Sequence, residues 1–257
     1  GSLRVVRPED ALQPAVQVIF DASGSMGTVL PSGEQRITAA KRLLEELVTG
    51  GLPAGSPFAL RAFGQVEPTT CNMRLEVPFG PLDPDRALQA VRGIEMKLLS
   101  QTPLADAILA SAGDLSQAGR SRTLILITDG VESCGGDPIE AVRQLRSQNP
   151  VDIAIVSLGI PEEQIAEFRA IAQAINASYV DVGSFEQLQE SVAAAINPAF
   201  EVYDRDGQLV ASGAVDGAAV ELEAGVYTVR VFGAGVREYA NVQVPAGSSA
   251  SVTHAGN

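Results

Sequence analysis

The sequence predicts a doubly wound α/β domain, built on a six-stranded and mostly parallel sheet, followed by a small all-β domain. Three observations lead there. Short, dense Val/Ile/Leu runs alternate with amphipathic stretches over residues 15–197, as strands covered on both faces alternate with the helices that cover them. The chain changes texture at Asn197-Pro198, beyond which only short alternating runs occur. At 257 residues the chain has room for one medium domain and one small one. The expected division is an N-terminal extension over 1–14, the α/β domain over 15–197 and the β domain over 198–257.

Taken in order, the strands are "AVQVIFDAS", "PFALRAFG", "RLEVPFG", "RTLILITDG", "VDIAIVSLGI" and "ASYVDVG". The third follows the second with no intervening helix, so it is expected to return antiparallel as an edge strand. The others form a Rossmann-like arrangement. In "EQRITAAKRLLEELV" a stripe of Ile37, Ala40, Leu44 and Leu47 marks a helix, and in "PLADAILASAGDL" Leu104, Ile108 and Leu115 do the same. Pro103, Pro138 and Pro161 suit first-turn positions, and Ser184 with Gln187 reads as a capping box for a helix through Ala195. Past residue 198, Asp206-Gly207, Ala224-Gly225 and Ala246-Gly247 punctuate the strands as turns. The Asp204–Gly207 stretch lacks the further ligands of a calcium loop and reads as a hairpin turn. A unit of this size is near the lower limit of independent stability, so it is expected to dock on its larger neighbour.

The net charge of -13 divides as -9 over residues 1–198 and -4 over the rest, which disfavours nucleic acid and anionic membranes as partners. No apolar run reaches the ~18 residues of a membrane span. The leading Gly-Ser reads as an expression remnant, and a signal or anchor is expected to have been removed ahead of it. His254, the single histidine, stands three residues from the end and is expected to be a frayed-tail residue, which argues against imidazole chemistry. Cys71 and Cys134 leave three readings open: buried thiols, a catalytic or metal thiol, or one disulfide.

Three loops leave strand ends or open helices with oxygen-bearing side chains: Asp21, Ser23 and Ser25, then Thr102, then Asp129. In an open parallel sheet ligands sit beyond the carboxyl ends of the strands, where strand order reverses. The donor set is hard oxygen throughout, which favours magnesium, manganese or calcium over zinc or copper. Few direct carboxylates would leave the ion under-neutralised, with an open position that attracts an acidic side chain from another molecule.

"DASGS", "TPLADAI" and "LILITDG", in that order, resemble the three loops of a von Willebrand factor A domain with its metal ion-dependent adhesion site. The resemblance covers residues 15 to about 197. It implies direct metal contacts from Ser23, Ser25 and Thr102, contributions from Asp21 and Asp129 directly or through water, and a sixth position filled by a partner's Asp or Glu. Gln101 departs from the pattern, since many relatives carry glycine before the threonine. Asp106 is assigned a helix-dipole role, and Glu132 is left without one.

Similar bacterial domains carry cysteines in the loop of Cys134, so a Cys71–Cys134 disulfide is expected. Closing a loop of about 64 residues, it contributes ~4 kcal/mol in the chain-entropy model. It implies an oxidising, extracytoplasmic compartment: periplasmic, secreted or surface-anchored. The segment "VELEAGVYTVRV" resembles small β-sandwich modules of the PEGA or carboxypeptidase-regulatory type, which implies a spacer or surface-binding role.

The expected function is divalent-cation-dependent protein binding by a monomer, without catalysis. A structural scaffold and a cytoplasmic ATPase-associated protein of the same family are the alternatives. A phosphohydrolase of the haloacid dehalogenase type also begins with a strand-end Asp, but it needs a second acid two residues later, where Ser23 stands.

Overall fold

The structure is a computed structural model that describes residues 1–8, 15–119 and 121–254. The α/β part alternates β2 (Ala15–Asp21), α1 (Arg36–Glu46), β3 (Pro57–Phe63), β4 (Met73–Pro81), α2 (Pro84–Gly93), α3 (Leu104–Asp114), β5 (Arg122–Thr128), α4 (Pro138–Gln148), β6 (Asp152–Leu158), α5 (Glu162–Ala174), β7 (Ser178–Val182) and α6 (Phe185–Ile196). Its sheet has the order β4-β3-β2-β5-β6-β7. The antiparallel edge strand expected from "RLEVPFG" is β4, which pairs with β3, and the remaining neighbours run parallel.

All seven residues of β2 are buried because the sheet is covered on both faces. Val16, Val18 and Phe20 enter a core shared with α1, α2 and α6. Ile19 points the other way, into a core built with α3, α4 and α5. β2 pairs with β3 on one side and β5 on the other, so chain direction through the sheet reverses at β2/β5. Arg61 of β3 grips both carboxylate oxygens of Asp114 at 2.8 Å, which ties the end of α3 to the sheet.

Helix α2 was not anticipated from the sequence pattern. It is opened by Asp83, which accepts from the Arg86 amide, with Pro84 in its first turn. Pro138 opens α4 as expected, with Asp137 accepting from the amides of Ile139 and Glu140. Pro103 and Pro161 stand one place earlier, as the N-caps of α3 and α5. Thr102 therefore precedes the cap of α3.

Beyond Ile196, β8 (Ala199–Tyr203), β9 (Leu209–Ala214), β11 (Gly225–Phe232) and β12 (Val236–Val244) form an antiparallel sheet in the order β12-β11-β8-β9. A further three-stranded sheet has the order β10-β1-β13, from β10 (Val220–Glu221), β1 (Ser2–Val6) and β13 (Ser249–Thr253). Its middle strand comes from the start of the chain, within the stretch expected to be an extension. β1 runs parallel to β13 and antiparallel to β10, and its Leu3 and Val5 share a core with Phe200, Val202, Val229 and Val231. The α/β part is thus an insertion between the first strand of the β part and the rest. Residues 9–14 of the expected extension lie outside the described residues.

His254 corrects the frayed-tail expectation. It is only 8% exposed, its amide donates to Val6 O at 2.8 Å, and its Nδ1 lies 3.0 Å from the Tyr239 hydroxyl. Burial, the largest influence, lowers its pKa, so the ring is packed as a neutral group. The sequence pattern stops short here because β13, just before it, pairs with a strand 247 positions away, Ser2 opposite Ser249, and this anchors the tail. The two parts touch where the Ser178 amide of β7 donates to Ala234 O at 2.9 Å, and where Arg7 bonds both Asp216 and the carbonyl of Ile196. Among the described residues no helix is long and apolar enough to cross a membrane.

Candidate metal centre

The candidate site lies at the carboxyl ends of β2 and β5, at the β2/β5 reversal. Phe20 pairs with Ile127, so Asp21 and Thr128 emerge side by side, and the Thr128 hydroxyl donates to Asp21 Oδ2 at 2.7 Å. The other oxygen, Oδ1, accepts the Ser23 amide at 2.7 Å, which curls the chain into the short 3-10 turn Gly24–Gly27. The curl brings Ser23 Oγ within 3.0 Å of Ser25 Oγ, and Ser25 Oγ donates to Asp129 Oδ1 at 2.6 Å. Four of the five expected ligands, Asp21, Ser23, Ser25 and Asp129, are thus linked by hydrogen bonds, the first through the Ser23 amide and the others between side-chain oxygens.

Thr102 arrives from the other side. Its amide donates to Ser133 Oγ at 2.8 Å, and its carbonyl accepts the Ser133 amide at 3.1 Å. Its hydroxyl faces Gly130, the residue after Asp129, so closely that a Cβ there would lie 3.3 Å from Thr102 Oγ1. Glutamine rather than glycine at position 101 does not prevent this path, because the Gln101 amide donates to Thr70 O at 3.3 Å.

Two carboxylates buried side by side are electrostatically costly. Asp21 is pushed up to about 6, first by burial and then by the charge of Asp129, against the hydrogen bonds from Ser23 and Thr128. Asp129 is also raised by burial, which outweighs the opposing pull of Ser25 and Arg36. One cation already reaches this pair: Arg36, the first residue of α1, holds Asp129 Oδ2 at 2.7 Å and bonds the Gly159 carbonyl. Among the described residues, two buried carboxylates against one guanidinium leave a negative balance, and the hydroxyls beside them are hard donors. The residues fit a small divalent cation. Among the described residues no group of three or more His, Cys, Asp or Glu could hold a metal, so any ion here depends on the alcohols as well as the two acids.

The fold agrees with a sequence match to the von Willebrand factor type A domain over residues 16–194. The chain belongs to the von Willebrand factor type A family. It is 27% identical over 186 residues to the uncharacterized protein YwmD of Bacillus subtilis (strain 168), covering 68% of this chain and 82% of that one. It is similar in fold to the hypothetical protein BatB of Bacteroides thetaiotaomicron, with a TM-score of 0.56, 22% identity, and coverage of 70% of this chain and 95% of that one. It is also similar to proximal thread matrix protein 1 of the mussel byssus, solved with a zinc-occupied adhesion-site motif, with a TM-score of 0.50, 18% identity, and coverage of 74% and 47%.

Four residues at this candidate site of the von Willebrand A domain are not singled out by the sequence for the parts they play. Arg36 carried a signal, since a cation at the first position of a helix opposes the helix dipole and needs another reason to be there. Thr128 and Ser133 carried none beyond their neighbours. Glu132, left without a role, accepts the Ala105 amide at 2.8 Å and the Cys134 amide at 2.6 Å, capping α3 where Pro103 cannot. Asp106 is exposed in the first turn of α3. Cys71 and Cys134 form the expected disulfide, with their Cα atoms 6.0 Å apart, and there are no free cysteines.

Proposed function

We propose that this domain is a divalent-cation-dependent protein-binding module, in which Ser23, Ser25, Thr102, Asp21 and Asp129 hold magnesium or manganese and a partner's Asp or Glu completes the coordination. The observation that carries this reading is the hydrogen-bonded set Asp21, Ser23, Ser25 and Asp129 gathered at the β2/β5 crevice. The bound ion would supply charge that draws in an acidic side chain. The protein's own residues set the donor positions and keep the carboxylates dry. Binding rather than turnover is favoured because Ser23, two residues after Asp21, offers a hydroxyl where phosphohydrolase chemistry needs a second acid. The disulfide supports an extracytoplasmic setting, and the β part is assigned a spacer or surface-binding role.

Calorimetric titration of magnesium into chelator-treated protein, beside Asp21→Ala, tests the metal step. Heat of binding in the parent and none in the variant is expected; equal heats overturn the reading. Affinity capture with magnesium, repeated with chelator, then tests the partner step: a protein lost only in the second capture supports it.

A second reading rests on Arg36. Its guanidinium already neutralises Asp129, so the domain could serve as a scaffold in which this ion pair replaces the metal. No heat from either protein in the same titration favours that scaffold.

A further inference from the structure

The disulfide and the second metal loop meet in a way that gives the cysteines a part in the site. The residue before each cysteine bonds one of two consecutive residues: Thr70 O accepts the Gln101 amide at 3.3 Å, and Ser133 bonds both the amide and the carbonyl of Thr102. The Cys71–Cys134 bond joins these two flanking strips behind the loop they hold. One step further on, Glu132 grips Cys134 and Ala105 together. Thr102 is therefore held upstream, at its own backbone and downstream, and all three grips lead to the same covalent link.

The held loop is under tension. Thr69 and Leu99 both sit in the left-handed region, at φ 59° and 64°, which a residue with a Cβ avoids unless its surroundings hold it there. They are bonded to each other, the Thr69 amide donating to Leu99 O at 3.0 Å. The side chains do not hold Leu99 there, since it is 75% exposed and neighbouring Leu98 is 68% exposed, although their backbone lies against Gly24, where a Cβ would stand 3.2 Å from Leu98 Cα and Leu99 N. The Cys71 strip holds the loop in place, together with Gly64 O, which accepts from the Lys97 amide and the Ser100 hydroxyl.

We propose that the Cys71–Cys134 disulfide is a brace that positions Thr102, so that the metal affinity of the site follows the oxidation state of this pair. The inference rests on the cation-binding reading above. Cys71 and Cys134 are both partly exposed, which leaves the bond open to a dithiol reductant. One thiolate of the reductant attacks one protein sulfur and breaks the Cys71–Cys134 bond, so that a mixed disulfide forms and the other cysteine leaves as a thiolate that takes up a proton. Its second thiol displaces the protein sulfur, so the reductant leaves as a disulfide, having given two electrons and two protons to Cys71 and Cys134. The strips then separate, Thr69 and Leu99 relax, and the Thr102 hydroxyl leaves its place beside Gly130.

The test uses the whole chain in three forms: oxidised, reduced with a dithiol and desalted anaerobically, and Cys71→Ser/Cys134→Ser. Each is titrated with magnesium alone, and backbone amide exchange is followed in parallel. Magnesium affinity is expected to fall at least tenfold in both disulfide-free forms. The Gln101 and Thr102 amides are expected to exchange faster while those of β2 and β5 keep their protection. Ser133→Ala, with the disulfide intact, is expected to weaken magnesium binding in the same direction, and the dithiol-reduced parent carries the test if the double variant does not fold. Equal affinity with and without the disulfide overturns the brace, as does loss of protection throughout β2 and β5. If the oxidised protein binds no magnesium, the cation-binding reading fails by itself. Unchanged exchange at Gln101 and Thr102 on reduction then overturns the brace separately.

Discussion

Arg36 and Asp129 form a buried ion pair, with guanidinium nitrogen and carboxylate oxygen 2.7 Å apart and side-chain exposures of 9% and 0%. The pair joins the start of α1 to the end of β5 and is the internal counter-charge to two buried acids. Replacing Arg36 with Met leaves Asp129 without a cation, and such a loss is expected to cost the metal-free protein about 3–5 kcal/mol. Urea denaturation in chelator measures it. Because the vacated charge favours an ion, the rise in Tm on adding magnesium should be larger in Arg36→Met than in the parent protein.

The two raised carboxyl pKa values set a pH dependence. Asp21 titrates near 6 in the folded chain against an ordinary value of 3.8, and Asp129 is shifted in the same direction. Between those values Asp21 holds more protons in the folded state than in the unfolded one, so its contribution is complete below about 4 and is lost as pH rises through about 6, and Asp129 acts with the same sign. Metal-free protein should therefore lose stability from these groups across that window. Magnesium, which favours the ionised pair, should raise Tm more at pH 7.5 than at pH 5. Melting curves with magnesium and with chelator at both pH values check the sign.

Gly64, just past the end of β3, has φ +83°, and a Cβ on it would lie 2.4 Å from the Ser23 amide nitrogen. The approach follows from the Ala22 amide donating to Phe63 O at 2.9 Å, which draws the first metal loop onto the end of β3. Gly64→Ala meets both a backbone clash and an unfavourable φ and should cost more than about 1 kcal/mol. Because Ser23 must move, magnesium affinity should fall with stability. Chemical denaturation and titration of the same preparation measure both.

Leu3 is fully buried although it is only the third residue of the chain. Its strand is the middle of the β10-β1-β13 sheet, so Leu3→Ala opens a cavity in the core of the β part and should cost about 2–5 kcal/mol. Equilibrium unfolding gives the loss. Amide exchange should place the weakened protection in β11 and β13, far along the chain from the substitution.

What could be read from the sequence followed from local chemistry. Residues covered on both faces in β2, the period of α1 and α3, Pro138 at the start of α4 and the missing crossover before β4 are each determined within a few positions of the chain. They suffice to place Asp21, Thr102 and Asp129 in loops around the carboxyl ends of β2 and β5. The acids and alcohols were legible as metal donors because their hardness depends on residue type alone. The rest required partners distant in sequence. β1 is a strand because β13 and β10 lie beside it, since a short polar-apolar alternation near a terminus has no preference of its own strong enough to mark it. His254 is buried for the same reason. Arg36 gains its meaning only when Asp129 folds against it, and Thr70 and Ser133 only when the disulfide brings their strips to either side of Thr102. Sequence by itself determined which donors exist and which strand ends carry them. The tertiary structure decided which charges face one another and what holds each loop in place, because hydrogen bonds and ion pairs between distant segments depend on positions that no local pattern encodes.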